Sequence, residues 1–317
     1  MYNNLEIFIL TYNRAQMLSQ TLKSVCEQSA VGFDIIVLDN ASEDNTKEVV
    51  EDLKKLYPQR NIKFVGADKN LGVEGNTQRA IDLVSKKWMM MFHDDDLMHP
   101  NYVEHAMETL NKTPDAIMAA CTYNQMEEPD DKNWEIFSGK AYIVDSKNFS
   151  ALLFSGVEHN FGSTIYRVDL FNDYDFKKEV YGKIADRPIL LEFSKRGTTV
   201  VLKEPYIRYR VHPGQDTSTN ETGPYANEWF ELLKSYKRIL GDSWFNKYGM
   251  IYNSFVHWQL RLGYHWMKSV NSKMKFKDFK KLAAENKVIR TIERPKFVEI
   301  LCNFNCSILK KFLYKSR

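Results

Sequence analysis

Over its first hundred residues the chain alternates short, nearly continuous apolar runs with amphipathic stretches, which leaves few folds open. "EIFIL" comes first, followed by Leu18, Leu22 and Val25 at helical spacing. "FDIIVLD" follows, then "EDNTKEVVEDLKKLYP", with Val49, Val50, Leu53 and Leu56 expected on one helical face and Pro58 as a stop. "IKFVG", "EGNTQRAIDLVSKK" and "WMMMF" continue as strand, helix and strand. Runs that are apolar throughout belong to strands buried on both faces. Alternating with helices, they predict an α/β fold with a mainly parallel central sheet covered on both sides.

All four runs turn polar at their C-terminal ends: Thr11-Tyr12-Asn13, Asp39-Asn40, Asp68, and Asp94-Asp95-Asp96. In open parallel sheets ligands bind beyond those ends, so the repetition predicts a site. The aspartates of "WMMMFHDDDLMHP" sharpen the point, because adjacent carboxylates repel and each resists leaving water. Capping of the helix begun in "HPNYVEHAMETL" accounts for one of them, Asp96. A divalent cation accounts for the rest. Oxygen-rich clusters suit Mg²⁺ or Mn²⁺, held by one or two carboxylates together with substrate phosphates.

Further along, "AIMAACTY", "FGSTIYR" and "TTVVLKEPYIRYRVH" have strand character, and "KIADRPILLEFSKRG" that of a helix closed by Gly197. The loop-forming "HPGQDTSTNETGP" gives way to helix, so the expected division is a catalytic domain over 1–220 and a helical region over 221–317. From Lys273 to Arg317, thirteen Lys and Arg face four Asp and Glu, a net +9 in a chain of net +3. Phe297, Leu301, Phe304, Ile308 and Phe312 recur along one helical face there. Such a basic amphipathic tail suits either an anionic membrane surface or packing on the body of the protein.

Cys26 and Cys121 sit in apolar sequence, and Cys302 and Cys306 lack the second ligand pair of a structural zinc site. "MYNNLEIFIL" lacks the basic start and long apolar run of a signal peptide, and no run approaches a membrane span. The expected location is the cytoplasm or the cytoplasmic face of a membrane, with no nucleic-acid partner.

Taken in order, "FILTYNRAQML", "IIVLDNASEDNT", "NLGVEGNTQRAI" and "MFHDDDLMHP" resemble the successive motifs of glycosyltransferase family 2, over about residues 5–215. The resemblance implies a GT-A fold and an inverting transfer that depends on a nucleotide sugar. It places Thr11, Tyr12, Asn13 and Arg14 at the nucleotide, with Tyr12 against the base, and Asp39 on the N3–H of uracil. Asn70, Asn76 and Arg79 fall near base and ribose, Asp94 faces the ribose, and Asp95 binds Mn²⁺ or Mg²⁺. His212 is implied as a further metal ligand, Arg210 as a partner of the diphosphate, and Asp186 as the catalytic base. Aligned on Pro100, His93 stands where the family has its first aspartate, a departure.

The implied donor is a UDP-sugar. The implied acceptor is a hydroxyl of a glycan or lipid-linked glycan, in cell-surface polysaccharide synthesis. A catalytically inactive nucleotide-sugar-binding partner subunit is the alternative that the His93 departure leaves open. A sugar nucleotidyltransferase is disfavoured because "LTYNRAQML" has no glycine for a phosphate loop, and no G-x-G-x-x-G for a dinucleotide follows the first strand.

Overall fold

A computed structural model describes residues 1–126, 133–154, 159–172, 184–212 and 225–241, with single residues 275, 277 and 281. The chain divides into two compact units. The first comprises Met1–Ile143, His159–Tyr174 and Arg196–His212. The second comprises Val144–Glu158, Asp175–Lys195 and Pro213–Arg317. The break expected near residue 220 lies outside the described residues, as do Cys302, Cys306 and the tail from Pro295.

The first unit begins with β1 (Leu5–Thr11), β2 (Asp34–Asp39), β3 (Asn61–Val65) and β4 (Trp88–His93), each parallel to its neighbour in the order β3-β2-β1-β4. Beyond β4 the sheet continues with β9 (Thr164–Arg167), β6 (Ala116–Ala120), β10 (Thr198–Leu202) and β8 (Ala141–Val144). β9 runs antiparallel to both β4 and β6, so the sheet is mostly, not wholly, parallel. A small second sheet joins β5 (Leu97–Met98), β11 (Ile207–Arg210) and β7 (Tyr123–Met126).

Connectivity explains where a ligand can sit. The chain steps outward from β1 to β2 to β3 through α1 (Ala15–Cys26) and α2 (Thr46–Leu56). It then returns across β1 to β4 through α3 (Gly72–Leu83). Right-handed crossovers therefore put α3 on the face opposite α1 and α2. The direction of winding reverses at β1 and β4, and a crevice opens beyond the C-terminal ends of those strands. Both polar ends, Thr11–Arg14 and His93–Asp96, lie there.

Burial follows the apolar runs. Trp88 to Phe92 are all buried, and Trp88, Met90 and Phe92 join Ile7, Ile9, Leu18, Leu22, Val25, Ile35 and Val37 in one core. Each such side chain contributes roughly 1.5–3 kcal/mol by leaving water. Cys26 and Cys121 are buried free thiols, and burial pushes each up to about 12. On α2, Val50 and Leu53 are buried but Leu56 is 66% exposed, because it ends the helix at the turn before Pro58.

The second unit contains α5 (Ser146–Phe154), α6 (Asp186–Ser194) and α7 (Tyr225–Leu240). On α6, Ile189, Leu190 and Phe193 are buried, the inner face expected from their spacing. Trp229, Phe230, Leu233, Tyr236 and Leu240 form the buried stripe of α7. The Phe154 and Tyr236 rings meet at 5.0 Å.

Gly197 does not close α6 in the left-handed manner expected of it; its φ lies outside the positive region. Its constraint is close approach in the first unit. A Cβ there would stand 2.5 Å from Ile117 Cγ2 and 2.6 Å from the Asp115 carbonyl oxygen.

Candidate active site

The loops beyond β1 and β2 hold each other. Asn13 adopts a left-handed φ of 52°; its N–H donates to Ser42 Oγ at 2.8 Å and its Oδ1 accepts from the Glu43 N–H at 2.7 Å. Ala41, at φ 66°, is held in a conformation that L-residues resist, at a cost of about 1–2 kcal/mol. Asp44 caps two helices at once, accepting from the Ala15 N–H at 3.0 Å and from the Thr46 N–H at 3.1 Å. Thr11 is buried in register with Asp39, and Tyr12 next to it is 40% exposed to the crevice. The buried Asp39 carboxylate accepts the Ser42 N–H with both oxygens, at 3.3 and 3.1 Å.

Asn70, Asn76 and Arg79 lie around the ends of β2 and β3, and their polar groups are spent on building that region. Asn76 Nδ2 donates to the Leu38 carbonyl at 3.0 Å. Arg79 donates to the carbonyls of Asp39 and Gly66, at 3.0 and 2.9 Å, and to Asn76 Oδ1 at 2.8 Å. Asn70 Oδ1 accepts from Asn40 Nδ2 at 2.9 Å and from the Gly72 N–H at 2.8 Å. Asn40, placed by the sequence at the polar end of its strand but given no role of its own, is the hub of these contacts. Its Oδ1 also accepts the Leu71 N–H at 2.9 Å, which ties the β2 end to the start of α3. The signal available was an amide directly after the strand aspartate.

At the end of β4 the three aspartates are buried, and each has its own partners. Arg14 Nη1 donates to Asp94 Oδ1 at 3.0 Å and to Asp95 Oδ2 at 3.1 Å. His212 Nε2 lies 3.1 Å from the same Asp95 oxygen. Asp96 does not cap the following helix, α4 (Tyr102–Lys112), as expected of it. Its Oδ1 accepts the Arg210 N–H at 3.0 Å, and its Oδ2 lies 3.5 Å from His93 Nδ1.

Arg210 is likewise turned away from the diphosphate role expected of it. It is 6% exposed, and its guanidinium donates to the Asp95 carbonyl at 2.7 Å and to Gln20 Oε1 at 2.7 Å. It anchors the aspartate loop from below.

Electrostatics follow from this crowding. Burial raises the Asp94 carboxyl above its usual range; Arg14 opposes the shift and Asp95 adds to it. Burial also raises Asp96, against the pull of His93. His93 is crowded by protein, which opposes charge, although its side chain keeps 46% of its exposure. Its contact with Asp96 and the fields of Asp95 and Asp94 outweigh that penalty and push it up to about 9. A histidine thus stands where the family has its first aspartate. It packs on Gly162, where a Cβ would come within 2.9 Å of His93 Nε2.

Among the described residues, two sets of atoms could hold a cation. Ligand atoms of His93, Asp95 and Asp96 lie within 4.8 Å of one another. Asp95 Oδ2 and His212 Nε2, at 3.1 Å, form the tighter pair.

The profile of glycosyl transferase family 2 matches residues 6–175, more than half of the chain. The chain belongs to that family. It is 25% identical over 254 residues to an uncharacterized glycosyltransferase of Haemophilus influenzae, covering 77% of this chain and 75% of that one. It is 29% identical over 185 residues to the GalNAc(5)-diNAcBac-PP-undecaprenol beta-1,3-glucosyltransferase of Campylobacter jejuni, 57% of each chain being aligned.

Among solved structures, S. aureus TarS 1–349 in complex with UDP superposes with a TM-score of 0.61 at 15% identity, over 98% of this chain and 89% of that one. The Pyrobaculum calidifontis mannosyltransferase in complex with GDP-Man and Mn²⁺ gives 0.53 at 13% identity, over 99% and 88%. The fold is the GT-A type, and the protein is a nucleotide-sugar-dependent family 2 glycosyltransferase.

In this family 2 enzyme, Asp186 belongs to the second unit. It is the first residue of α6 rather than the N-cap, which is Ala185. Its Oδ1 accepts the Arg187 N–H at 2.9 Å. The Arg187 guanidinium lies over the Trp229 ring, 5.5 Å from its centroid. Burial pushes the Tyr236 hydroxyl up to about 12; Arg187 opposes the shift and Asp186 adds to it. Among the described residues no helix is long and apolar enough to cross a membrane.

Proposed function

We propose that the protein transfers a sugar, with inversion, from a UDP-sugar to a hydroxyl of a glycan or lipid-linked glycan, and that Mn²⁺ or Mg²⁺ assists. One observation carries the metal reading. Adjacent ligands on an octahedral ion with bonds of about 2.1 Å stand about 3 Å apart, and Asp95 Oδ2 and His212 Nε2 are separated by 3.1 Å. A carboxylate and an imidazole at that spacing can reach one ion together, and a site of so few protein ligands leaves positions for diphosphate oxygens.

In this reading Asp95 and His212 would hold the ion. When bound, it would neutralise charge on the diphosphate as it leaves. The chain's own groups do the rest. Tyr12 offers a partly exposed ring to the base, and the Asp39 carboxylate accepts the uracil N3–H, a donor that cytosine lacks. Asp94 faces the ribose. Asp186 takes the proton of the acceptor hydroxyl as the acceptor oxygen bonds to the anomeric carbon. The bond from that carbon to the diphosphate breaks on the opposite side, and UDP departs with the electron pair. Complexes of TarS with UDP and UDP-GlcNAc support UDP as the nucleotide.

The basic tail supports attachment to an anionic membrane on the cytoplasmic side, where lipid-linked acceptors would be met. The Campylobacter relative is named for an undecaprenol-linked glycan.

A calorimetric screen of nucleotides with Mn²⁺ and with EDTA tests the reading. UDP should bind with Mn²⁺, more tightly than CDP or GDP, and lose most of its affinity in EDTA. Equal binding of UDP in EDTA would remove the metal from the mechanism.

A further inference from the structure

The guanidinium of Arg14 occupies the very oxygen that the metal reading needs. Asp95 Oδ2 has two partners at 3.1 Å, Arg14 Nη1 and His212 Nε2, and Arg14 reaches Asp94 Oδ1 as well at 3.0 Å. We infer that Arg14 is a resident counter-cation which makes binding of the metal ion and of the donor diphosphate mutually dependent. This deepens the reading above and rests on it.

The Asp94 and Asp95 side chains are 5% and 10% exposed, so their charges are poorly screened by water and need a cation nearby. Arg14 supplies one, from the N-cap position of α1, where the backbone is fixed by the Asp44 bond to Ala15. A divalent ion on Asp95 Oδ2 brings a second positive centre to the same oxygen. The two cations repel, and the ion alone must displace a charge-assisted contact before it can bind.

A guanidinium displaced from Asp95 can keep Asp94 and turn its freed N–H to a second anion, which the donor diphosphate would supply. The Arg14 side chain keeps 29% of its exposure, so a diphosphate arriving from solvent can meet it. Planar and forked, the guanidinium matches phosphate oxygens as well as carboxylates. Ion and nucleotide thus relieve each other's cost. By linkage, the factor by which the ion tightens the nucleotide equals the factor by which the nucleotide tightens the ion.

The test needs no turnover. Mn²⁺ is titrated into the full chain without nucleotide, and free Mn²⁺ is followed by electron paramagnetic resonance, for the parent, Arg14→Met and Arg14→Lys. UDP affinity is then measured with and without Mn²⁺. Arg14→Met should bind Mn²⁺ alone about 5-fold tighter than the parent, and the Mn²⁺-dependent gain in UDP affinity should shrink by a similar factor, at the low end of ordinary couplings. Arg14→Lys keeps a cation on a shorter reach and should fall between the two.

Mn²⁺ affinity in Arg14→Met equal to or weaker than that of the parent, with parental coupling to UDP, would overturn the inference while leaving the metal reading intact. A parent that takes up no Mn²⁺ even with UDP present would overturn both.

Discussion

The end of β4 and the first turn of α6 each present aspartate to chemistry, and the chain equips them in opposite ways. Asp94, Asp95 and Asp96 share a lattice of partners drawn from α1, β4 and the end of β11: Arg14, His93, the Arg210 N–H and His212. Asp186 accepts the N–H of its own neighbour, and its helix is braced by an arginine on a tryptophan face. The first arrangement suits binding, because each charge is fixed against another and a ligand must enter by exchange. The second surrounds the residue proposed as the base, whose task is to take a proton that arrives with the acceptor. Substitutions at the two places should therefore damage different steps.

The largest effect is expected at Asp186. Asp186→Asn keeps the shape and removes the basicity, so transfer should fall by roughly 10²–10⁴-fold while UDP affinity stays near that of the parent. Single-turnover transfer beside UDP calorimetry reads both quantities. Transfer at close to the parental rate would leave Asp186 as a first-turn residue of α6 and nothing more.

Next comes the opposite failure. Asp95→Ala removes the oxygen shared by Arg14 and His212, and should cost at least about 10²-fold in Mn²⁺ affinity, since even outer partners of metal ligands are worth 10–100-fold. UDP should still bind weakly, but with no further loss in EDTA. If Asp95→Ala kept the parental Mn²⁺ dependence, the cation would belong to another set, with His93 and Asp96 the first to examine.

Much of this contrast was legible in the sequence because strand ends declare themselves. Continuous apolar runs marked β1, β2 and β4, while β3, the edge strand, carries exposed Asn61 and Lys63 and buries only Ile62; the polar residues after each strand marked the edge where the crevice opens. What stayed hidden was the direction in which individual polar groups point. Arg79 and Arg210 are long enough to reach a ligand, yet the structure commits both to main-chain carbonyls. The rotamer of a long side chain depends on which orphaned carbonyls lie within reach, and those come from strands far away in sequence. Asp96 misled for a related reason. A carboxylate six residues before a helix resembles a cap, but β11 brings the Arg210 N–H within 3.0 Å and claims it. The role of Asn40 stayed hidden because an amide next to an aspartate has no distinctive spacing.

The smallest effect is expected at the brace beneath Asp186. A guanidinium on a tryptophan face, with the indole itself 2% exposed, contributes about 0.5–2 kcal/mol. Arg187→Met keeps the stem over Trp229 and removes the charge. Its guanidinium also faces the buried Tyr236 hydroxyl, which Asp186 approaches with opposite sign, so the substitution loosens one corner shared by α6 and α7.

A loss of about 1 kcal/mol corresponds to a fall of roughly 2–4 °C in Tm for a domain of this size. If the brace only stabilises, transfer at a temperature well below Tm should be unchanged. If it also holds the Asp186 carboxylate, kcat for transfer should drop by less than about 10-fold, with the donor KM unaltered and with partial recovery in Arg187→Lys. A double-mutant cycle with Trp229→Leu separates the two outcomes. Additive losses would mean that Arg187 and Trp229 act independently. A coupling of 0.5 kcal/mol or more, within the range found for residues in contact, would tie the position of the carboxylate to the tryptophan face.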